Sequence, residues 1–350
     1  MNNLKEKSIE IKKNTETSAI EKQNINKQIN TKAGYVAIIG KPNAGKSTLM
    51  NALIGAKLSI VTPKPQTTRK RVLGILTEEN VQIIFLDTPG ILNPKYKMQS
   101  AMMDYVHNSI IEADCVVFIY DVTRYNSKRP IPSELFTIIK NIKQNNSKNN
   151  ISKDNIPENN NFKGNVSKDK NIIMLLNKLD LLKDRKEVLP MIATFTDMQL
   201  FSDIIPISAL KKSNISDIIK TITQYIPTVP FYYDAELLST QPERFFVSEI
   251  IRENVFISYS DEIPYSTEIN ITDFKEREFG KWYISAEIIV EKDSQKAIMI
   301  GKNGEKLKKV MEHSRYSIEE HLQMPIYIDV FVKVREKWRN NSNLLRSYGY

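Results

Sequence analysis

The chain has 350 residues, 41% of them hydrophobic, which is enough for two or three domains with their own cores. Its formal net charge of +9 favours a polyanionic partner, either nucleic acid or an acidic membrane surface. The single cysteine, Cys115, excludes an internal disulfide and predicts a reducing compartment. No apolar run reaches the ~18 residues of a membrane span, and residues 1–18 lack the apolar core of a secretory signal, so we expect a cytoplasmic protein.

A first domain is predicted over residues 33–226, where apolar runs alternate with helix-length segments. The predicted strands are residues 35–40, 81–87, 115–121, 171–177 and 202–208. A helical pattern over 47–55 follows the first strand and stops at Gly55. Apolar strands that alternate with helices predict an α/β fold with a mostly parallel, doubly wound sheet.

Two segments of this half are polar and low in complexity. Residues 1–32 and 144–170 are rich in Asn, Lys and other polar residues, which predicts a disordered N-terminal extension and a disordered insertion. The insertion follows a predicted helix over 131–143 and precedes a strand, at the amino edge of the sheet. Ligands of such sheets bind at the carboxyl edge, so we expect no catalytic role for it.

A second, α+β domain is predicted over residues 241–350, after a Pro- and Tyr-containing linker at 227–240. Its pattern is helix, strand, strand, helix, helix, strand, followed by a basic C-terminal tail. The predicted elements are residues 243–259, 267–278, 281–292, the helix pair within 294–322, and 325–334.

The sequence GKPNAGKS (40–47) has the spacing of a phosphate-binding loop between a strand and a helix. Gly40 and Gly45 permit a loop whose backbone N–H groups point at phosphate oxygens. Lys46 supplies charge to the β and γ phosphates, and the Ser47 hydroxyl can bind Mg²⁺. The following helix adds its positive N-terminal end.

The sequence DTPG (87–90) ends a later predicted strand. Its position predicts that Asp87 holds Mg²⁺ through water and that the Gly90 N–H reaches the γ-phosphate. Between the two motifs lies KPQTTRKR (64–71), where a threonine should reach Mg²⁺ only with the γ-phosphate present, as an order–disorder switch. We favour Thr68 over Thr67.

The basic residues within 64–71 allow a second interpretation as an ordinary basic loop. These residues are Lys64, Arg69, Lys70 and Arg71.

The sequence NKLD (177–180) predicts a guanine site. The Asp180 carboxylate can accept hydrogen bonds from guanine N1–H and the 2-amino group, which adenine lacks. Asn177 would brace neighbouring loops and contact the base, and the Lys178 stem would cover its face. At the next strand end, the Ala209 N–H of SAL (208–210) is predicted to reach guanine O6.

The sequence GKNG (301–304) is a G-x-x-G turn between two predicted helices, and in the αββααβ order it is the signature of a type II KH domain. Such a turn lets a nucleic-acid backbone approach closely. Ile298 and Ile300 would line an apolar floor under unstacked bases, and a cluster of lysines surrounds the turn. A plain helix–helix turn is the alternative.

These motifs resemble the translation-factor-related P-loop GTPases, and from residue 34 onward the chain resembles the Era family of bacterial ribosome-assembly GTPases. The segments that carry the resemblance are GKPNAGKSTLMNAL, KPQTTRKRVLGI, FLDTPGI, NKLD, PERFFVSEIIRE, IGKNGEKLK and KVREKWRN. The resemblance implies GTP and GDP as ligands, Mg²⁺, binding near the 3′ end of small-subunit ribosomal RNA, and a role in maturing the small subunit. It also implies peripheral contact with the inner membrane, and we expect a monomer.

Ile91 follows DTPG where Ras-like enzymes carry a glutamine, so no side chain there orients the attacking water. Among hydrophobic-substituted GTPases the resemblance associates the P-loop asparagine, Asn43, with a K⁺ site, which implies slow turnover stimulated by K⁺. The alternative is an RNA-binding assembly factor whose nucleotide site gates RNA binding with negligible turnover.

The predicted catalytic residues are Lys46, Thr68, Gly90 and Asn43. The predicted phosphate-binding residues are Gly40, Lys41, Pro42, Asn43, Ala44, Gly45, Lys46, Ser47, Thr48, Asp87, Thr88, Pro89, Gly90 and Ile91. The predicted guanine-binding residues are Asn177, Lys178, Leu179, Asp180, Ser208, Ala209 and Leu210. Mg²⁺ would be held by Ser47, Thr68 and Asp87. The predicted RNA-binding residues are Ile300, Gly301, Lys302, Asn303, Gly304, Lys306, Lys308 and Lys309.

Overall fold

The computed structural model describes residues 30–144 and 170–350. The two segments predicted to be disordered are residues 1–32 and 144–170. Within them, residues 1–29 and 145–169 lie outside the described residues. One boundary differs, because the first strand begins at Lys32, inside the predicted extension. The Lys32 N–H donates to the Asn80 carbonyl at 2.8 Å, which anchors this strand start.

The first domain is built on a six-stranded sheet with the order β2-β3-β1-β4-β5-β6. Its strands are β1 (Lys32–Gly40), β2 (Val72–Glu78), β3 (Val81–Asp87), β4 (Cys115–Asp121), β5 (Asn171–Asn177) and β6 (Asp203–Pro206). β2 is antiparallel to β3, and the other neighbours are parallel, which confirms the mostly parallel α/β fold.

Helices cover both faces of this sheet. They are α1 (Lys46–Ile54), α2 (Lys97–Glu112), α3 (Ser133–Gln144), α4 (Val188–Asp197) and α5 (Ile215–Tyr225). Successive residues of β1 point to opposite faces, as the pleat requires. Val36 and Ile38 join the buried cluster that includes Leu49 of α1, whereas Ala37 and Ile39 join the one that includes Met98 of α2.

Strand β2 is the element that the sequence analysis did not identify. It contains Gly74, which is uncommon inside a strand. The structure explains this glycine, because a Cβ at position 74 would lie 2.4 Å from Cε of Met50. The missing side chain therefore lets α1 pack closely onto the sheet.

The second domain packs helices on a three-stranded sheet of order β7-β8-β9, with β7 antiparallel and β9 parallel to β8. Its elements are α6 (Glu243–Ser258), α7 (Ile263–Ser266), β7 (Glu268–Lys275), β8 (Trp282–Val290), α8 (Asp293–Ile300), α9 (Glu305–Leu322), β9 (Ile326–Val334) and α10 (Ser342–Ser347). The predicted αββααβ order is present. The short helices α7 and α10 are additional.

The predicted linker is fastened to the first domain. Gln82 Oε1 accepts hydrogen bonds from the backbone N–H groups of Tyr232 and Tyr233, at 2.9 and 3.0 Å. The Leu238 carbonyl accepts from the Ile75 N–H at 2.8 Å, which continues the pairing beyond β2. The chain therefore follows the first domain closely before it enters the second.

Candidate functional site

The phosphate-binding loop leaves the carboxyl end of β1 and is shaped by two glycines that no other residue could replace without a shift. A Cβ at Gly40 would lie 2.5 Å from the Ile119 carbonyl oxygen. Gly45 has φ of 104°, and a Cβ there would lie 2.3 Å from Nδ2 of Asn177. The loop thus fits directly against the ends of β4 and β5.

The polar residues of the loop tie it to its surroundings. Asn43 Nδ2 donates to the Pro63 carbonyl at 2.7 Å, and Lys46 Nζ donates to the Lys41 carbonyl at 3.0 Å. The Ala44 carbonyl accepts from Asn177 Nδ2 at 2.8 Å. Pro42 and Thr48 are half-buried within the same loop and the start of α1.

The three predicted Mg²⁺ ligands lie together. Ser47 Oγ is 2.8 Å from both Asp87 Oδ2 and Thr68 Oγ1. Asp87 Oδ1 is buried and has no hydrogen-bond partner among the described residues. Mg²⁺ prefers hard oxygen ligands, so this set of two hydroxyls and an unsatisfied carboxylate oxygen fits the ion.

The geometry also distinguishes the two switch threonines. Thr67 Oγ1 is turned away from Ser47, and it lies 2.7 Å from both Thr62 Oγ1 and the Lys64 carbonyl. Thr68, as favoured from the sequence, is the one at the candidate metal site.

Burial dominates the electrostatics of the phosphate site. It lowers the pKa of the Lys46 ammonium to about 8, against the opposing charge of Asp87. Burial also raises the pKa of the Asp87 carboxyl, although Lys46, Ser47 and Ser59 oppose the shift. A bound polyphosphate would favour the charged ammonium that phosphate binding requires.

The DTPG segment lies on the phosphate-binding loop. A Cβ at Gly90 would come within 2.7 Å of Pro42, and the Ile91 N–H donates to the Gly40 carbonyl at 3.0 Å. Thr88 Oγ1 donates to the Ile38 carbonyl at 2.7 Å, and Pro89 is buried with it. The Ile91 side chain is buried in the core, where it can neither reach nor orient a water.

The predicted guanine residues gather at the ends of β5 and β6. Asp180 Oδ1 accepts a hydrogen bond from Ser208 Oγ, and Lys178 Nζ lies 2.7 Å from Asp121 Oδ2. Leu179 is half-buried, and Leu210 is 70% exposed.

The Ala209 N–H already has an acceptor within the protein. It donates to Asn177 Oδ1 at 2.9 Å, and its contact with guanine O6 stays a prediction. The hydrogen bond forms because β5 and the segment after β6 run side by side, so the Asn177 amide bridges the phosphate-binding loop and the SAL segment. Its bracing role is therefore the one that the geometry shows.

The basic switch residues are not a solvated loop. Lys64 Nζ donates to the carbonyls of Phe256 and Tyr259, and Arg69 Nη2 donates to the Pro264 carbonyl at 2.8 Å. Lys70 Nζ lies 3.3 Å from Glu268 Oε1. These three residues join the nucleotide domain to the second domain.

Arg71 differs from the other three, because it pairs with Glu112 inside the first domain. The sequence analysis missed the acceptors of the interface. Glu253 and Glu268 accept hydrogen bonds from the nucleotide domain and are almost completely buried. Carboxylates within an otherwise apolar helix or strand were the available signal.

The GKNG turn is shaped for close approach. Gly301 has φ of 73°, and a Cβ there would lie 2.6 Å from Cβ of Lys306. Asn303 and Gly304 also have positive φ, of 51° and 77°. The predicted lysines of the turn are exposed, namely Lys302, Lys306, Lys308 and Lys309.

The predicted apolar floor is partly present. Ile298 is 47% exposed, and Ile300 is half-buried beside the turn. An exposed cationic turn with an apolar margin can bind a sugar–phosphate backbone and stack or cover bases.

The described ranges, residues 30–144 and 170–350, lack two kinds of feature. Within these ranges no group of three or more His, Cys, Asp and Glu side chains could hold a metal ion. No helix in the same ranges is long and apolar enough to cross a bilayer.

Comparison with known proteins gives the family. Residues 35–178 match the family described as 50S ribosome-binding GTPase, and residues 262–339 match the KH domain. GTPase Era of Clostridium botulinum is 38% identical over 91% of this chain and 98% of its own length. The chain belongs to the Era GTPase family. It is a GTPase with a C-terminal KH domain.

Other Era proteins extend this similarity. The chloroplastic GTPase ERA-like protein of Oryza sativa is 39% identical over 92% of this chain and 70% of its own length. A crystal structure of Era in complex with MgGDPNP and nucleotides 1506–1542 of 16S ribosomal RNA has a TM-score of 0.80 and 36% identity, over 91% of this chain and 99% of that one. An Aquifex aeolicus Era variant bound to GDP·AlF4⁻ also has a TM-score of 0.80, with 34% identity.

Proposed function

We propose that this Era GTPase is a GTP-dependent RNA-binding switch that assists assembly and rRNA maturation of the small ribosomal subunit. GTP binds at the carboxyl edge of the six-stranded sheet, and the GKNG turn binds RNA near the 3′ end of small-subunit rRNA. Hydrolysis ends the RNA-bound state. The observation that carries the proposal is the presence of both sites in a chain that aligns over 99% of an Era bound to MgGDPNP and 16S rRNA.

The ribosomal subunit is assigned from the whole chain. The family description that mentions the 50S subunit matches residues 35–178, which is the nucleotide domain alone. Similarity to the rRNA-bound Era runs through the KH domain as well, and that complex contains 16S RNA. We therefore assign the small subunit.

The phosphate chemistry follows from the cradle at residues 40–48. Lys46 and the loop N–H groups hold the β and γ phosphates, and the Gly90 N–H binds the γ-phosphate. Ser47, Thr68 and Asp87 are the residues that would hold Mg²⁺, which when bound neutralises charge on the phosphates. Stabilisation of developing charge by fixed donors is the main catalytic contribution of such a site.

Turnover is slow in this proposal because residue 91 is buried and apolar, so no side chain at this position orients the attacking water. We also propose that a K⁺ ion bound at Asn43 stimulates GTP hydrolysis. The hydrogen bond from Asn43 to Pro63 uses the amide nitrogen, so the amide oxygen remains for a cation. Because Pro63 belongs to the switch segment, residues 56–71, the same side chain links the phosphate-binding loop to the switch.

Guanine selection rests on Asp180. Its carboxylate is oriented by Ser208, and it accepts two hydrogen bonds from guanine that adenine cannot donate. Lys178 is held in place by Asp121, with its stem over the base face. Asn177 supports this arrangement through its hydrogen bonds with the Ala44 carbonyl and the Ala209 N–H.

We further propose a cytoplasmic monomer with peripheral membrane contact through its basic surface. The net charge of +9 and the buried, unpaired Cys115 support this placement. The plant relatives are named chloroplastic, so an organelle interior is the competing compartment. Fractionation of the source cells, followed by flotation with anionic vesicles, would test both points.

The test measures GTP hydrolysis and RNA binding by the full chain. GTP turnover is followed in K⁺ and in Na⁺, with and without a single-stranded RNA that matches the 3′ end of small-subunit rRNA. The variants are Lys46→Ala and the double substitution Gly301→Asp with Gly304→Asp.

We expect hydrolysis to rise with RNA and with K⁺ and to be lost in Lys46→Ala. The double glycine variant should keep basal hydrolysis and lose RNA binding. Tight GTP binding without turnover above the Lys46→Ala background would instead favour a nucleotide-gated RNA-binding factor. Absence of RNA binding by the wild type would overturn the switch.

A further inference from the structure

The switch segment, residues 56–71, lies against the C-terminal half of α6. Lys57 Nζ lies 2.6 Å from Glu253 Oε2, and the Val61 N–H donates to Glu253 Oε1 at 3.0 Å. Lys64 reaches further along the helix, to its end. The segment that responds to the γ-phosphate therefore also contacts the KH domain at several points.

Lys64 binds the end of α6. Its ammonium accepts no hydrogen bonds and donates to the carbonyls of Phe256 and Tyr259, the region where the helix leaves carbonyls without intrahelical partners. A cation at this end also interacts favourably with the helix dipole.

Lys64 is itself held from the nucleotide side. The preceding residue, Pro63, accepts from Asn43 of the phosphate-binding loop, and the Lys64 carbonyl accepts from Thr67 Oγ1 at 2.7 Å. Thr67 adjoins Thr68, the candidate Mg²⁺ ligand. These contacts connect the position of Thr68 to the backbone that carries Lys64.

Tyr259 continues this chain of contacts into the KH domain. Its side chain is 1% exposed, and its hydroxyl donates to the Met299 carbonyl at 2.6 Å. Lys306 Nζ lies over its ring, 4.5 Å from the centroid. Met299 precedes the GKNG turn in the sequence, and Lys306 follows it.

We infer that Tyr259 is a positioning residue that couples the switch segment to the GKNG turn. This inference rests on the proposed function. Its backbone carbonyl binds Lys64, whereas its hydroxyl and ring bind the two flanks of the turn. Because the residue is buried and held at both ends, a displacement of Lys64 moves the Met299 carbonyl and the Lys306 ammonium.

Other interface contacts lead elsewhere. Lys57 ends on Glu253, in the body of α6, and Arg69 ends on Pro264, Thr267 and Glu268, at the start of β7. In the part of the chain that the structure describes, Tyr259 is the residue in contact with both Lys64 and the flanks of the turn. Coupling between two sites is reciprocal, so RNA bound at the turn should also favour the ordered switch.

The measured quantity is the dissociation constant for RNA with GDP divided by the dissociation constant with GDPNP. The RNA is a fluorescent single strand that matches the 3′ end of small-subunit rRNA, and its binding is followed by anisotropy with Mg²⁺ and either nucleotide. The variants are Tyr259→Phe, Lys64→Met and their double. Lys57→Met is the matched control, because it removes an interface ion pair that does not reach Tyr259.

We expect Tyr259→Phe and Lys64→Met each to lower this ratio about fivefold, the effect of one hydrogen bond. The double variant should lower it no further than the stronger single variant, since both residues act in one series of contacts. Lys57→Met should leave the ratio within about twofold of wild type. Melting temperature and GDPNP affinity, measured in parallel, should not change in step with the ratio.

The outcomes separate the two proposals. A wild type that binds RNA equally well with GDP and GDPNP would overturn the nucleotide switch itself. A wild type with a clear ratio that Tyr259→Phe and Lys64→Met preserve would overturn the role of Tyr259 alone. An equal loss in Lys57→Met would also overturn it, since the coupling would then belong to the interface as a whole.

Discussion

Arg69 Nη1 lies 3.2 Å from Glu268 Oε2, and both side chains are almost completely buried. The pair joins the residue after Thr68 to the first residue of β7, across 199 positions of sequence. Tyr350 also donates to Glu268 Oε2, at 2.7 Å. A buried carboxylate thus holds the switch segment, the KH sheet and the segment after α10 together at one point.

Replacing this carboxylate should destabilise the domain interface. In Glu268→Gln, the charges of Arg69 and Lys70 lose their partner inside a buried cluster. Loss of one partner of a buried ion pair costs about 3–5 kcal/mol. We expect a fall of that size in the free energy of unfolding at neutral pH, measured by urea denaturation. Glu112→Gln, which breaks the half-exposed pair with Arg71, should cost less than about 1 kcal/mol.

The same variant gives a pH prediction. Burial alone would raise the pKa of Glu268, but Lys70, Arg69 and Arg252 outweigh it and hold the pKa below 4.5. A carboxyl with a lowered folded pKa stabilises the protein above its unfolded pKa, and loses this contribution as the pH falls through the folded value. The stability difference between wild type and Glu268→Gln should therefore be constant near neutrality and shrink below about pH 4.5.

Urea midpoints at pH 7 and at pH 3.5 would measure this difference. Asp87, whose pKa burial raises, contributes in the opposite direction but equally in both proteins. A gap that stayed constant down to pH 3.5 would show that Glu268 is not ionised preferentially in the folded protein.

Local sequence patterns predicted the nucleotide edge well, because each motif sits where an apolar run ends. The strand that leads into the phosphate-binding loop, and the strands that end at Asp87 and Asn177, were recognisable from continuous apolar residues. The contact between Lys64 and Tyr259 was not, since it joins positions 195 apart and depends on how two domains pack. For the same reason the hydrogen bond from the Ala209 N–H to Asn177 was not predicted, since it joins positions 32 apart at two neighbouring strand ends.

Substitutions at the two switch threonines should differ in their effect on the Mg²⁺ dependence of GTP hydrolysis. Thr68→Ala removes a hydroxyl at the candidate Mg²⁺ site, so we expect the Mg²⁺ concentration for half-maximal GTP hydrolysis to rise at least about 10-fold. GDP binding, which does not require the ordered switch, should change little. Thr67→Ala removes only bonds within the segment and should leave the Mg²⁺ dependence intact. The reverse result would assign the metal to Thr67.

Base selection should follow the carboxylate of Asp180. Asp180→Asn replaces one acceptor by an amide donor, which opposes the guanine N1–H and 2-amino donors. Since a hydrogen bond to a charged group contributes about 1.5–3 kcal/mol, GTP affinity should fall by about 10- to 100-fold or more. Xanthosine triphosphate, with a carbonyl in place of the amino group, should bind the variant better than GTP does. Competition binding with both nucleotides measures this, and Asp184→Asn, in an exposed turn, is the control.

Ile91→Gln tests whether the hydrophobic residue after DTPG merely lacks a polar group or is placed where none can act. Ile91 is 7% exposed and belongs to the buried cluster that includes Met98 and Met102. A glutamine amide there would be buried without designed partners, which costs about 1–3 kcal/mol. We therefore expect a lower melting temperature and no gain in GTP turnover. Ile91→Val, which keeps the side chain apolar, should retain both stability and rate to within about 1.5 kcal/mol and twofold. Faster hydrolysis by Ile91→Gln at an unchanged melting temperature would show that this side chain can swing out and orient the attacking water.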